Sequence, residues 1–355
     1  MQPLRSAAGL PVIDADVLVE QVKADFGVSL TSISHVLGGQ DSDAVLMRGL
    51  TVENTQLAVK VSRSERVSGL LVPAHLAGGI VAGIAAPLRS HSGVPYSLVG
   101  GRTMSLTPWI SGRTAFESGM NADQWRRFGA LLSQVHAAQL PEMVADQLDT
   151  EDYRTSALAV AGDLHERICG SGGGRHLAAS ADPLTVALTR DWQTASDSIA
   201  LVLAQTDELG DELRAGSRAS VVCHGDAHLG NVMLGENGAV WLLDWDGAVL
   251  APRERDLMFV IGGVLTKAPV TTEEQQWFFE GYGDAEIDPI QLAYYRCSWA
   301  VQDLTDFAAR ILDRSAGLSP ARSQALILFR DLLRPTGIVQ RALDSLREIG
   351  RGVGA

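Results

Sequence analysis

Lysine is nearly absent from this chain. Lys23, Lys60 and Lys267 are its only three among 355 residues, and arginine supplies the other 26 basic side chains. Cysteine is equally sparse: Cys169, Cys223 and Cys297 lie far apart, with no CxxC or His/Cys spacing. That excludes a disulfide scaffold and a structural zinc of the usual kind, and it implies a reducing compartment. Basic charge is in deficit overall, with a formal net charge of −13. An acidic surface repels nucleic acid and anionic lipid, so neither is expected as a partner. It attracts small cations, although solubility alone also accounts for it. No long, dense apolar run occurs. The longest, from Leu70 to Leu88, is broken by Pro73, His75, Pro87 and three glycines and is rich in alanine. It reads as a buried helix followed by a strand entry, with no expectation of a membrane span. The first twenty residues contain no apolar core of signal-peptide length, so a cytoplasmic location is expected.

The length suits two domains or one large one, and a hydrophobic fraction of 46% supports a globular fold. Residues 14–27 have helical spacing in Val17, Leu18, Val22 and Phe26. From Ser29 the texture is strand-rich: a strand, the Gly38-Gly39 turn, a second strand, then Leu57-Ala-Val-Lys-Val61 and strands near 95–99 and 103–110. One helix, 65–77, interrupts them. Beyond about residue 113 helices dominate, over 121–138, 151–167, 183–215 and most of 255–349. Among them, strands 232–234 and 240–243 flank the hairpin signal Gly235-Glu-Asn-Gly238.

That hairpin sits inside the most informative segment. His224-Gly-Asp-Ala-His-Leu-Gly-Asn231 precedes it, and Leu242-Leu-Asp-Trp-Asp246 ends it. Folding the hairpin back brings Asp244 toward Asn231 and Asp226, so that three oxygen-bearing side chains converge. Such a set suits Mg²⁺, and an aspartate not committed to metal can deprotonate a hydroxyl. His224-x-Asp226-x-His228 also admits half a zinc site, but no other HxH or HxxxH pair offers further ligands. Buried acids capping turns are a third reading. Lys60, retained inside an apolar strand, needs an anion beside it, such as nucleotide phosphates; an edge-strand lysine facing water is the alternative. Leu37-Gly-Gly-Gln-Asp-Ser-Asp43 can approach phosphate closely or simply turn a hairpin. Neither GxxxxGK[ST] nor GxGxxG after a strand occurs, which removes support for P-loop and Rossmann readings.

Taken together, His-Gly-Asp-x-His-x-x-Asn followed by Asp-Trp-Asp resembles the aminoglycoside phosphotransferases and their relatives, including choline, homoserine and methylthioribose kinases. The similarity spans roughly residues 30–310. The string Ala251-Pro-Arg-Glu-Arg-Asp-Leu-Met-Phe259 looks most like spectinomycin phosphotransferases. The resemblance implies an α+β, bilobed protein-kinase-like fold, with a strand-rich nucleotide-binding lobe over residues 1–110 and a larger helical catalytic and acceptor-binding lobe over 111–355. It implies Asp226 as catalytic base, Asn231 and Asp244 as Mg²⁺ ligands, and Lys60 as phosphate anchor. Gly38 and Gly39 would cover the nucleotide, the backbone of Pro108 and Ile110 would meet the adenine, and His224 and Asp256 would brace the catalytic loop. The expected activity is transfer of phosphate from ATP, or GTP, to a hydroxyl of an aminoglycoside or aminocyclitol such as spectinomycin, conferring antibiotic resistance. A kinase for a small amino-alcohol or sugar, and a non-catalytic kinase fold used for binding, are the alternatives. The cationic acceptor is expected to meet Trp299, Asp303 and Asp306, which share one helix face; a solvated face is the other reading. In one respect the chain departs from the family. The lysine's usual glutamate partner on the next helix is missing, and Glu65 is the only acid between Lys60 and Leu106–Gly112, which resembles the family's hinge.

Overall fold

In the computed structural model the described residues are 14–36, 44–63, 66–78, 81–170, 182–216 and 219–352. They form two compact units. One comprises the chain up to Asp149 together with Val221–Leu250 and Trp277–Gly283; the other comprises Thr150–Ser220, Ala251–Gln276 and the chain from Asp284 onward. The mixed α+β architecture expected from the sequence is the one observed.

In the first unit, helix α1 (Ala15–Phe26) is started by the Asp14 carboxylate, which accepts from the Asp16 N–H, and is ended by Gly27 in the left-handed region. Five antiparallel strands follow: β1 (Leu30–His35), β2 (Ala44–Thr51), β3 (Gln56–Ser62), β4 (Ser97–Val99) and β5 (Arg102–Pro108), in the spatial order β1-β2-β3-β5-β4. Alternation along β3 sorts its side chains. Leu57, Val59 and Val61 are buried with Leu18, Val22 and Phe26 of α1 in one cluster, so Lys60 faces the opposite side of the sheet. Lys60 pairs with Leu46 on β2 and Ser105 on β5, which makes β3 a central strand.

Helix α2 (Ser68–Ala77) begins three residues later than the sequence pattern suggests. The strand entry expected after it does not form. Val81–Leu88 is irregular, and its Ile84 makes a single parallel bridge to Leu242 while Gly83 O accepts from the Leu242 N–H. The segment is drawn to the exposed edge of another sheet, which breaks its own repeat. That second sheet joins β6 (Gly112–Thr114) to the predicted hairpin, β7 (Val232–Gly235) and β8 (Val240–Leu242). Helix α3 (Ala122–Ala137), capped reciprocally by Asn121 and Gln124, packs through Gly129 on the carbonyl of Phe278.

The second unit is helical: α4 (Ala157–Cys169), α5 (Pro183–Thr194), α6 (Ser196–Arg214), α7 (Pro289–Leu312), α8 (Pro320–Leu332) and α9 (Ile338–Glu348). Two boundaries differ from expectation. The helix expected from 151 starts only at Ala157, because Glu151 and Asp152 side chains accept from the N–H groups of Tyr153 and Arg154 and compete with helical bonding. The single helix expected over 183–215 is two, broken at Ala195. Helix α7 is the centre, packed by all five others. No helix among the described residues is long and apolar enough to cross a membrane. The three cysteines are free, as their spacing predicts.

One buried ion pair ties this unit together. Asp182 caps α5 and accepts from Thr185 Oγ1 at 2.6 Å and from Arg322 Nη2 at 2.5 Å, while Arg322 Nε donates to Ile311 O at the end of α7. Burial pushes the Asp182 carboxyl up. The hydrogen bonds from Thr185 and Arg322, with the charge of Arg322, more than reverse this and hold it at about 2. A depressed carboxylate stabilises the fold above its unfolded pKa and loses that contribution as pH falls through the folded value. Asp182→Asn is therefore expected to cost about 2 kcal/mol at neutral pH, a gap that closes between about pH 4 and pH 2. Denaturant titrations of both proteins across that range check it. A gap that persists undiminished at the acid end would show that the charge is not its source.

Candidate active site

The residues that the sequence singled out around the hairpin are held by backbone geometry in the first unit. His224 is fully buried against the Trp245 ring, with centroids 4.6 Å apart. Its Nε2 lies 3.0 Å from Leu243 O, and its Nδ1 accepts the Asp226 N–H at 3.2 Å. This histidine is bonded to backbone at both ring nitrogens, which fixes the loop's shape and leaves it no lone pair for a metal. His228 turns its Nδ1 to the Gly230 N–H and its Nε2 to within 3.5 Å of Asp226 Oδ1. Gly225, at φ +80°, lies so close to Gly247 that a side chain there would strike its carbonyl. The His224–Asn231 loop and the Asp-Trp-Asp turn are thereby in backbone contact.

Asn231 donates through Nδ2 to both Asp226 O, at 2.8 Å, and Asp226 Oδ2, at 2.9 Å. Its amide oxygen is thus turned away from Asp226. Asp226 Oδ1 is buried and accepts no hydrogen bond. Burial raises the Asp226 carboxyl above the usual carboxylate range; the nearby His228 and His224 pull it back, and the Asp244 charge adds to the rise.

Asp244 adopts φ 63°, ψ 72°, a left-handed conformation uncommon outside glycine. The turn sets its carboxylate 3.0 Å from Lys60 Nζ, and Asp246 Oδ2 lies 2.6 Å from the same nitrogen. Lys60 thus reaches across the sheet face opposite α1 to two carboxylates. Burial disfavours its charge, but Asp244 and Asp246 overcome that and hold it firmly protonated. In turn, burial acts to raise the Asp244 carboxyl and the Lys60 charge lowers it below the usual range. Helix α2 carries no acid. It packs directly on the turn, with Gly69 against Trp245 O and the Asp246 Cα, where any side chain would collide at 2.9 Å.

Asp246 is the residue that sequence reasoning passed over. Its signal was available in the second acid of Asp-Trp-Asp, but only the tertiary fold shows it beside Lys60. Gly38, Gly39 and Glu65 lie outside the described residues. Pro108 ends β5 opposite Leu57, and Ile110 follows in the link to β6; between them the Trp109 ring sits under the Arg48 guanidinium at 5.0 Å. Asp256 belongs to the second unit, fully buried in the short helix Glu254–Leu257. Trp299, Asp303 and Asp306 lie along α7. The Trp299 ring meets Phe259 edge-on at 4.9 Å and carries the Arg255 guanidinium 5.5 Å from its centroid. Asp306 is raised by burial, with Arg310 opposing.

An antiparallel sheet whose central lysine meets an Asp-x-Asp turn, next to an Asp…Asn loop, defines a phosphotransferase of the protein-kinase-like class. Residues 38–298 match the model of the APH phosphotransferase enzyme family, and the chain belongs to that family. Among solved structures, the spectinomycin phosphotransferase APH(9)-Ia in complex with ADP and spectinomycin has the same fold. Its TM-score is 0.81 at 24% identity, over 97% of this chain and 99% of that one. An AMP-bound complex of the same enzyme gives 0.78 at 23% identity, covering 96% and 98%. An amicoumacin kinase in complex with AMP-PNP, Ca²⁺ and Ami gives 0.60 at 16% identity, covering 92% and 94%. No curated protein sequence matches the chain significantly.

Proposed function

We propose that this enzyme transfers phosphate from ATP to a hydroxyl of an aminocyclitol of the spectinomycin type, in the cytoplasm. The observation that carries the reading is the state of Asp226: one carboxylate oxygen is held by Asn231, and the other is buried and accepts no hydrogen bond, with His228 Nε2 3.5 Å away. A base so oriented can receive the proton of an attacking hydroxyl. The match to the spectinomycin enzyme over nearly the whole of both chains supports the acceptor class. In this reading residues 1–110 form the nucleotide lobe and 111–355 the catalytic and acceptor lobe. Gly38 and Gly39 cover the phosphates, and Pro108 and Ile110 offer backbone to the base. GTP as donor and a small amino-alcohol as acceptor are arms of the test. Mg²⁺-dependent nucleotide turnover, screened over aminocyclitols, aminoglycosides and amino-alcohols, decides it. Turnover confined to an amino-alcohol would overturn the acceptor assignment, and no turnover with any acceptor would favour a binding protein.

The donor set fits Mg²⁺. The Asn231 amide oxygen is turned away from Asp226, the Asp244 carboxylate is ionised and half exposed, and both are hard oxygen ligands. When bound, the ion would supply charge neutralisation for the phosphoryl group. Lys60 supplies a fixed positive charge for the donor phosphates, and Asp246 holds Lys60 in place where helix α2 has no acid to do so. Lys60→Ala is expected to raise the nucleotide KM about ten-fold, the scale of one charge-assisted hydrogen bond, with acceptor KM little changed. Asp246→Asn should move the same parameter in the same direction by less. Steady-state kinetics with each substrate varied in turn separate the two effects. An unchanged nucleotide KM in Lys60→Ala would return the lysine to a structural role.

For the acceptor, Asp303 and Asp306 are one helical turn apart on α7, and an ammonium-bearing ring would pair with them. Asp303→Asn is expected to raise the acceptor KM several-fold and leave the nucleotide KM unaltered, in line with a partly exposed ion pair. Kinetics against spectinomycin measure this, and an unaltered acceptor KM removes Asp303 from the site.

A further inference from the structure

We propose that Arg296 and Arg341, in the helical unit, form a binding site for a small oxyanion of the phosphate class. Arg296 lies about a third of the way along α7 among buried neighbours and is itself 5% exposed. Its Nη1 donates to Ser345 Oγ at 2.6 Å and its Nη2 to Ile261 O, both neutral acceptors, while its buried Nε donates to nothing. Arg341 stands on α9, four residues before Ser345 and so on the same helix face. Its Nε is also buried without an acceptor. The two guanidinium groups converge on Gly262. A point one carbon out from its backbone would lie 3.4 Å from Arg341 Nη1 and 3.7 Å from Arg296 Nη2.

A buried guanidinium with a second, half-buried one beside it is costly unless an anion joins them. The same unit shows the ordinary remedy, since buried Arg322 has the Asp182 carboxylate at 2.5 Å. Among the described residues no carboxylate forms such a pair with Arg296 or Arg341. The acids facing them are Glu348, which is exposed, and Asp344, which is held by Arg347 and Gln340. Burial pulls the Arg296 guanidinium down to about 10; Glu348 and Asp344 oppose that, and Arg341 deepens it. A tetrahedral oxyanion offers several acceptors at once and matches the planar guanidinium fork, which a single carboxylate at a distance does not.

The test uses inorganic phosphate on full-length protein carrying Lys60→Ala, so that the candidate active site contributes less. Phosphate is expected to raise the Tm saturably relative to chloride at equal ionic strength. Arg341→Gln, chosen because Arg296 is packed in the core, should weaken phosphate binding by calorimetry about ten-fold or more, as loss of one charge-assisted hydrogen bond implies. It should also leave the protein at least as stable in chloride, since a repulsion is relieved. Crystals grown with selenate should show anomalous scattering between the two guanidinium groups. Equal phosphate affinity in Arg341→Gln, destabilisation by that change in chloride, or selenate bound only elsewhere would each overturn the proposal.

Discussion

Asp226→Asn is expected to lower kcat by about 10²-fold or more, the usual contribution of a positioned general base. The substitution preserves shape, and its amide can still meet Asn231, so the loop built on His224 and Gly225 should stay in place. What disappears is the proton acceptor at Oδ1, the buried atom that accepts no hydrogen bond. Nucleotide affinity is expected to hold or to tighten slightly, because removing a negative charge beside Asp244 favours phosphate. Stopped-time assays of nucleotide turnover, with nucleotide binding measured separately, give both numbers. Turnover within a few-fold of the parent would dismiss Asp226 as the base.

Asp244→Ala is expected to abolish turnover at ordinary Mg²⁺ concentrations. The loss has two sources. One is a hard oxygen ligand on a turn whose left-handed backbone aims it. The other is a carboxylate 3.0 Å from Lys60, leaving Asp246 as that lysine's remaining partner. Removing metal with EDTA should reproduce the loss in the parent enzyme, and adding Mg²⁺ should reverse it. Full activity in EDTA, or recovery with zinc alone, would end the magnesium assignment. The bonding of His224 to Leu243 O and the Asp226 N–H already speaks against zinc at the His-x-Asp-x-His segment.

Much of the first unit was legible in advance because its signals are local. The hairpin rests on Gly235-Glu-Asn-Gly238 and α1 on a helical repeat. Errors arose where local bonding competed with periodicity. At Tyr153, side chains captured backbone N–H groups and delayed a helix; at Val81–Leu88, a sheet edge captured a segment that reads as a strand. The closeness of Asp226 and Asn231 was recognisable from spacing, since five residues of loop can bring an acid and an amide together.

By itself the sequence determined the reaction class: one lysine kept in an apolar strand, an Asp…Asn loop, and an acid at the end of the following hairpin are close enough in the chain, or regular enough in pattern, to be read in order. Only the tertiary structure decided how Lys60 is held. The expected helix acid is absent from α2, and Asp246 meets the lysine instead from 186 residues away. Gly69 lets α2 sit against the backbone of that turn. Such a pairing has no period and no fixed spacing, because it depends on where two separately folded segments meet. The same holds for Arg296 and Arg341, whose convergence on Gly262 is set by helix packing and leaves no mark in the order of residues.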